Sequence, residues 1–321
     1  MTKALAPIGR GRYAFLLFDS TFKVVICNPE NENLLIQILE LLIPGKKISQ
    51  IIFSDKEKHG LVISEKRVNF DLLCKDAKTG EEFLVEVQNA PQNSFRDRAL
   101  SYSTYPIREQ LAGRMARIRD GEKMSKMDYG LKPVYVISLL NFTLKHDSED
   151  ALEDGYICRY ELRNRHNTEL MTPSLNFVFV ELGRLKLKED EGEKCRDLLE
   201  KFIFSLKYMH MLTEPPKGFT DGLLNDLYRA TELATMPIET REYYNQSMRT
   251  ELDIIAERDF AKEVAMAEGR AEGWEEGLEA GRAEGLEAGR AEVAKAMLTQ
   301  GLAPELIAAC SGFTVEELKA L

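Results

Sequence analysis

The stretch KPVYVISLLNF, residues 132–142, constrains the fold more than any other part of the chain. A strand with one wet face alternates apolar and polar side chains, whereas this run is apolar almost throughout. It reads as a strand buried on both faces, as in a sheet covered by helices on either side. The rest of the chain must supply those helices and further strands. Residues 28–42 carry Leu34, Leu35, Ile38, Leu39 and Leu42 at helical spacing, and Pro44-Gly45 ends the run. ISQIIF (48–53) and LVISEKRVNFDLLCKD (61–76) read as extended. In the second, Val68, Phe70 and Leu72 share one face, and Asn69, Asp71 and Leu73 share the other. The turn DAKTGEE (76–82) leads into EEFLVEVQNA (81–90), where Leu84, Glu86 and Gln88 share a face. These two runs form a hairpin with Asp71 and Glu86 on adjacent strands.

Further on, residues 94–118 read as helical, with Leu111, Met115 and Ile118 on one stripe and Pro106 expected to kink the helix or start a second one. LNFVFVEL (175–182) is another strand, while 143–174 carry no clear period. Residues 191–260 are mostly helical, with breaks at Pro215-Pro216-Lys217-Gly218 and at Pro237. The expected organisation is a first domain over 1–185, a helical region over 186–260, a glycine repeat over 261–290 and a small helical module over 291–321.

In that repeat, Gly269, Gly273, Gly277, Gly281, Gly285 and Gly289 recur every fourth residue. Glycine inside a helix costs about 1 kcal/mol relative to alanine, so an isolated helix here is marginal. The stripe suits either close approach to a second copy of the chain, giving a homo-oligomer, or a flexible charged linker. Glu and Arg between the glycines exclude a membrane dimerisation motif. The closing module has Gly301 and Gly312 at turns and a capping-box pattern at Thr314 and Glu317, in a helix-turn-helix arrangement.

Composition then excludes several classes of function. No apolar run approaches the ~20 residues a membrane helix needs, and the N-terminus lacks a signal-peptide pattern. Five scattered cysteines read as reduced thiols of a cytoplasmic protein, and with four dispersed histidines they form no zinc pattern. The net charge is −10, but residues 251–321 hold 16 acidic and 7 basic side chains, so −9 of it lies there. Residues 94–126 carry eight Arg or Lys against four Asp or Glu, a local excess that suits phosphates or a solvated helix face.

The chemistry concentrates on the hairpin. Two carboxylates on neighbouring strands repel unless a cation sits between them, and Mg²⁺ accepts such hard oxygen donors while retaining water for attack on a phosphodiester. Gln88 projects to the same side as Glu86, where its amide could orient that water, though it cannot supply a lysine's charge. The same spacing also suits two solvent-facing acids.

The set FDSTFKVV (18–25), NENLLIQILELLIP (31–44), VNFDLLCKDAKTGEEFLVEVQ (68–88), RALSYSTYPIREQL (98–111) and LKPVYVISLLNF (131–142) resembles the Rpn family of recombination-promoting nucleases, also described as transposases, of the PD-(D/E)XK superfamily. The resemblance implies an α/β fold with a mixed sheet flanked by helices, followed here by a mostly helical C-terminal region. It also implies Mg²⁺-dependent DNA endonuclease activity, with Mn²⁺ as a substitute, linked to recombination. Carried over by position, Asp71 matches the first metal-binding acid, Glu86 the second, and Gln88 the position that lysine holds in the wider superfamily. Asp19 matches an early acidic position and is either a third ligand or a helix cap; Glu32 is a further candidate acid. Lys23, Arg96, Arg98 and Arg114 are the candidate phosphate contacts, with Lys23 and Arg98 alternatively pairing with a nearby acid. No PD precedes Asp71, which follows Phe70. The alternative is a nuclease-fold platform that binds DNA or protein as an oligomer without efficient cutting.

Overall fold

The computed structural model describes residues 11–54, 71–119, 130–148 and 152–320, apart from the side chains of 19–20, 115–119, 247 and 251. Its centre is a six-stranded mixed sheet in the order β1-β2-β3-β4-β6-β5. The strands are β1 (Ile51–Phe53), β2 (Leu72–Asp76), β3 (Glu82–Gln88), β4 (Val134–Leu140), β5 (Ile157–Glu161) and β6 (Leu175–Glu181). β1, β2 and β3 pair antiparallel, β3, β4 and β6 pair parallel, and β5 returns antiparallel on β6.

β4 is buried at all seven positions, as its apolar run requires. One face of the sheet presents Leu73, Leu84, Val134, Val136, Leu140 and Phe179, which pack with Phe95, Ala99 and Tyr105 of α3 (Phe95–Arg119). α1 (Asp19–Ile26) lies against β3, and α2 (Glu32–Leu42) follows it with Leu34, Leu35, Ile38, Leu39 and Leu42 all buried. α5 (Gly222–Thr231) packs on α2, where Gln37 Nε2 donates to Asp226 Oδ2 at 2.8 Å. α4 (Leu198–Tyr208) contributes the fully buried Phe202, Ile203 and Phe204.

The hairpin turn is fixed by Asp76. Its Oδ1 accepts from the Ser49 amide at 3.0 Å and the Ser49 hydroxyl at 2.7 Å, and its Oδ2 accepts from the Thr79 amide at 3.0 Å. Burial pushes this carboxyl up, but the bonds from Ser49 and Thr79 outweigh it and hold its pKa well below the usual carboxylate range. Gly80 closes the turn at φ 72°, a left-handed conformation that a side chain would strain. Val68, Asn69 and Phe70 lie outside the described residues.

Three segments differ from, or add to, the sequence reading. α3 continues as one helix through Pro106, which is itself buried. Loss of one backbone bond and the ring clash cost about 3 kcal/mol, which the packing of this helix on the sheet offsets. The unassigned segment 143–174 supplies β5, whose pairing with β6 only the sheet provides. Finally, α6 runs unbroken from Ile238 to Thr299, straight through the glycine repeat.

The chain divides into two compact units, 1–249 and 250–321. In the second, the end of α6 joins α7 (Pro304–Ser311) and α8 (Val315–Leu318) around Ala294, Ile307 and Leu318. Gly301 and Gly312 have positive φ, and Thr314 with Glu317 forms the expected capping box. Along α6, Phe260, Val264, Trp274 and Leu278 are exposed, with Ala267 and Ala271 between them. Their spacing of 4, 3, 4, 3 and 4 is a heptad seam, which the more conspicuous glycine period hides.

Candidate active site

Asp71 stands one residue before β2, and the hairpin register that pairs Leu72 with Val85 brings it opposite Glu86. Both acids are buried, at 6% and 5% exposure, so neither is a solvated hairpin acid. The two meet directly: the Asp71 amide donates to Glu86 Oε1 at 3.4 Å. Asp71 Oδ2 accepts the Val87 amide of β3 at 2.6 Å, which ties its carboxylate to the strand that carries Glu86. Cys27 Sγ, at the end of α1, donates to the Asp71 carbonyl at 3.6 Å.

Two cations neutralise the pair. Lys23 Nζ, from α1, lies 3.7 Å from Asp71 Oδ1, and Arg98 Nη2, from α3, lies 3.9 Å from Glu86 Oε2. Arg98 is itself held by Gln92 Oε1 and by the ring of Tyr102, whose centroid is 5.3 Å from the guanidinium carbon. Burial raises the Tyr102 phenol pKa; Arg98 opposes that, and Glu86 and Asp71 add to it, so this ring shares the field of both acids. Four charged groups from α1, the hairpin and α3 therefore converge, although they are separated by up to 75 residues in sequence.

The remaining sequence candidates are placed differently. Gln88 ends β3 opposite Leu140 and is half-buried; its backbone carbonyl accepts from Asn141 at 2.9 Å, and its amide forms no hydrogen bond among the described residues. Arg96 donates to the Lys145 carbonyl at 2.8 Å, and Arg114 to that of Gly130. These two sit about 27 Å apart along α3, so they cannot both flank the acids. Glu32 accepts the Ile51 amide at 2.7 Å, which anchors β1 to α2. Asp19 begins α1, and its side chain lies outside the described residues.

Tyr102 and Ser138 lie in stretches that carry the family resemblance, but the sequence reading assigned neither a role. Ser138 sits on β4 directly opposite Glu86, and its buried hydroxyl has no hydrogen-bond partner among the described residues. The clue to Ser138 was a small hydroxyl residue among the apolar side chains of β4.

The carboxylates of Asp71 and Glu86 are hard oxygen donors on adjacent strands, which suits a divalent cation that takes one or two carboxylates and completes its shell with water and substrate phosphate. Among the described residues, no third His, Cys, Asp or Glu joins them. Lys23 and Arg98 add positive charge beside the two acids.

Comparison with curated proteins and with solved structures finds no match. A family model described as PD-(D/E)XK nuclease family transposase matches residues 16–261, a span that includes Lys23, Asp71, Glu86, Gln88, Arg98 and the whole sheet. With well over half its length matched, the chain belongs to the PD-(D/E)XK nuclease family transposases.

Proposed function

We propose that this chain is a DNA endonuclease that hydrolyses phosphodiester bonds with Mg²⁺, or Mn²⁺ in its place, held by Asp71 and Glu86. The observation that carries the reading is a pair of buried acids on neighbouring strands, joined by the Asp71 backbone amide donating to the Glu86 carboxylate, each with a cation within 4 Å. The bound cation would lower the pKa of a coordinated water and offset the charge that develops on the phosphorane oxygens.

The protein's own groups do the rest. The Val87 amide holds the Asp71 carboxylate in place, so its orientation is set before any ligand arrives. Lys23 and Arg98 pair with the two acids in the free protein, and both would turn to the scissile phosphate when it enters. Gln88, with an amide uncommitted among the described residues, orients the attacking water by hydrogen bonding. It cannot assist through charge, so turnover is expected to be modest.

Asp71→Asn and Glu86→Gln test this reading, since each keeps the shape and an acceptor for the local amides. Both are expected to weaken saturable Mn²⁺ binding, measured by calorimetry, and to reduce nicking of supercoiled DNA by about 100-fold or more. Unchanged nicking in both variants would refute it.

Gln88 favours a second reading, in which the same fold binds DNA or protein without efficient cutting. Absence of any saturable Mg²⁺ or Mn²⁺ site in the wild type would select that alternative. The all-thiol state of the five cysteines supports action in the cytoplasm, and the family's transposase description supports a link to recombination. We further propose that α6 joins copies of the chain through its exposed heptad seam and glycine repeat.

A further inference from the structure

We propose that Ser138 is a positioning residue for the metal site, its hydroxyl donating to the Glu86 carboxylate when the cation is bound. The inference rests on the metal reading above.

Three observations converge on it. First, register: β3 and β4 pair in parallel with Glu86 opposite Ser138, and Leu84 opposite Val136 two residues earlier. Leu84 and Val136 belong to the same cluster under α3, so Glu86 and Ser138 also face that side. Neighbouring strands run about 4.8 Å apart, which leaves the serine hydroxyl within reach of the glutamate side chain. Second, the hydroxyl is unpartnered. Ser138 is 1% exposed, and its Oγ bonds to nothing among the described residues. Burying a hydroxyl unpaired is destabilising, and alanine would fill nearly the same space without that penalty. Third, the Glu86 carboxylate is turned the other way, with Oε1 on the Asp71 amide and Oε2 towards Arg98.

These facts fit a side chain with two settings. In the metal-free protein Glu86 leans towards β2 and Arg98, and Ser138 has no partner. A cation held by Asp71 and Glu86 would relieve Arg98 of neutralising the glutamate, and a glutamate oxygen could then accept a hydrogen bond from the Ser138 hydroxyl. Metal ligands are commonly oriented by such outer hydrogen bonds. A purely spatial role for Ser138 would leave the hydroxyl without purpose.

The experiment uses the full chain and four variants or states of position 138: wild type, Ser138→Ala, Ser138→Thr and Ser138→Val. Thr and Val have the same shape and differ only in the hydroxyl, so any overpacking is common to both. Mn²⁺ affinity is read by calorimetry, and the metal-free proteins are melted in chelator. Ser138→Ala is expected to weaken Mn²⁺ about tenfold while melting at or above the wild-type temperature, and Thr is expected to bind about tenfold tighter than Val. If wild type binds Mn²⁺ and all variants bind within twofold of it, the role of Ser138 is overturned while the metal site stands. Thr no tighter than Val, or a metal-free Ser138→Ala that melts below wild type, also overturns it. A wild type with no saturable Mn²⁺ site overturns the metal reading and this inference together.

Discussion

Asp71 has two tasks that compete for one carboxylate. Oδ2 accepts the Val87 amide, while Oδ1 faces Lys23, so alanine here would remove a strand-end cap along with any ligand. That is why the amide isostere is the informative substitution. A second residue, remote from the acids, sets a pH limit on stability. His210 lies against Phe15 with ring centroids 4.1 Å apart and planes tilted by 49°, and its buried Nδ1 has no partner among the described residues. Burial lowers its pKa to about 4 from a usual value near 6.5. Below pH ~6.5 the unfolded chain therefore binds a proton that the folded chain refuses, and stability falls until about pH 4, by at most on the order of 3 kcal/mol. Carboxylates held low by hydrogen bonds, such as Asp76, lose their contribution only as pH drops further. Denaturant melts of His210→Phe should lie flat between pH 6.5 and 4.5, where wild type loses stability; identical slopes would show that His210 is not the group responsible.

At the scale of elements, α2 was legible because its burial follows a helical period, and β3 because its Phe, Leu and Val residues favour a strand. Phe83 through Val87 are buried on both faces, however, so the hydrophobic pattern alone could not reveal that Glu86 is inside. α3 shows the opposite limit: Pro106 looks like a break, and the helix survives because Phe95, Ala99 and Tyr105 are held against the sheet. α6 poses an open energetic question, since glycines inside a helix cost about 1 kcal/mol each relative to alanine. A Cβ added at Gly269, Gly273 or Gly277 would meet nothing within 4 Å in the single chain. Replacing all three by alanine should therefore raise the helix's thermal stability, by about 3 kcal/mol if the helix is unpaired. If the stripe packs against a second copy, the same change should instead weaken association. Circular dichroism melts combined with sedimentation separate these outcomes.

For the whole molecule, charge and architecture divide at nearly the same place. Residues 250–321 form a separate unit, and 251–321 carry −9 of the chain's net −10. The sheet and every group of the acid site belong to the first unit, which also contains most of the family match. Deleting 261–321 is expected to reduce the mass in solution to that of a monomer while leaving Mn²⁺ affinity within about twofold; equal subunit number in both forms would remove α6 as the assembly element. No helix among the described residues is long and apolar enough to cross a membrane. The sequence by itself determined the helical stripe of α2, the hairpin, the doubly buried β4 and the capping box at Thr314, because each is a local pattern whose period follows from backbone geometry. It also brought Asp71 and Glu86 to adjacent strands through the turn between them. Only the tertiary structure decided that both acids are buried, that Lys23 and Arg98 arrive from two different helices, and that Ser138 lies beside Glu86. Those contacts depend on sheet order and on the crossover through α3, which place residues tens of positions apart within a few ångströms, and no local period encodes such distances.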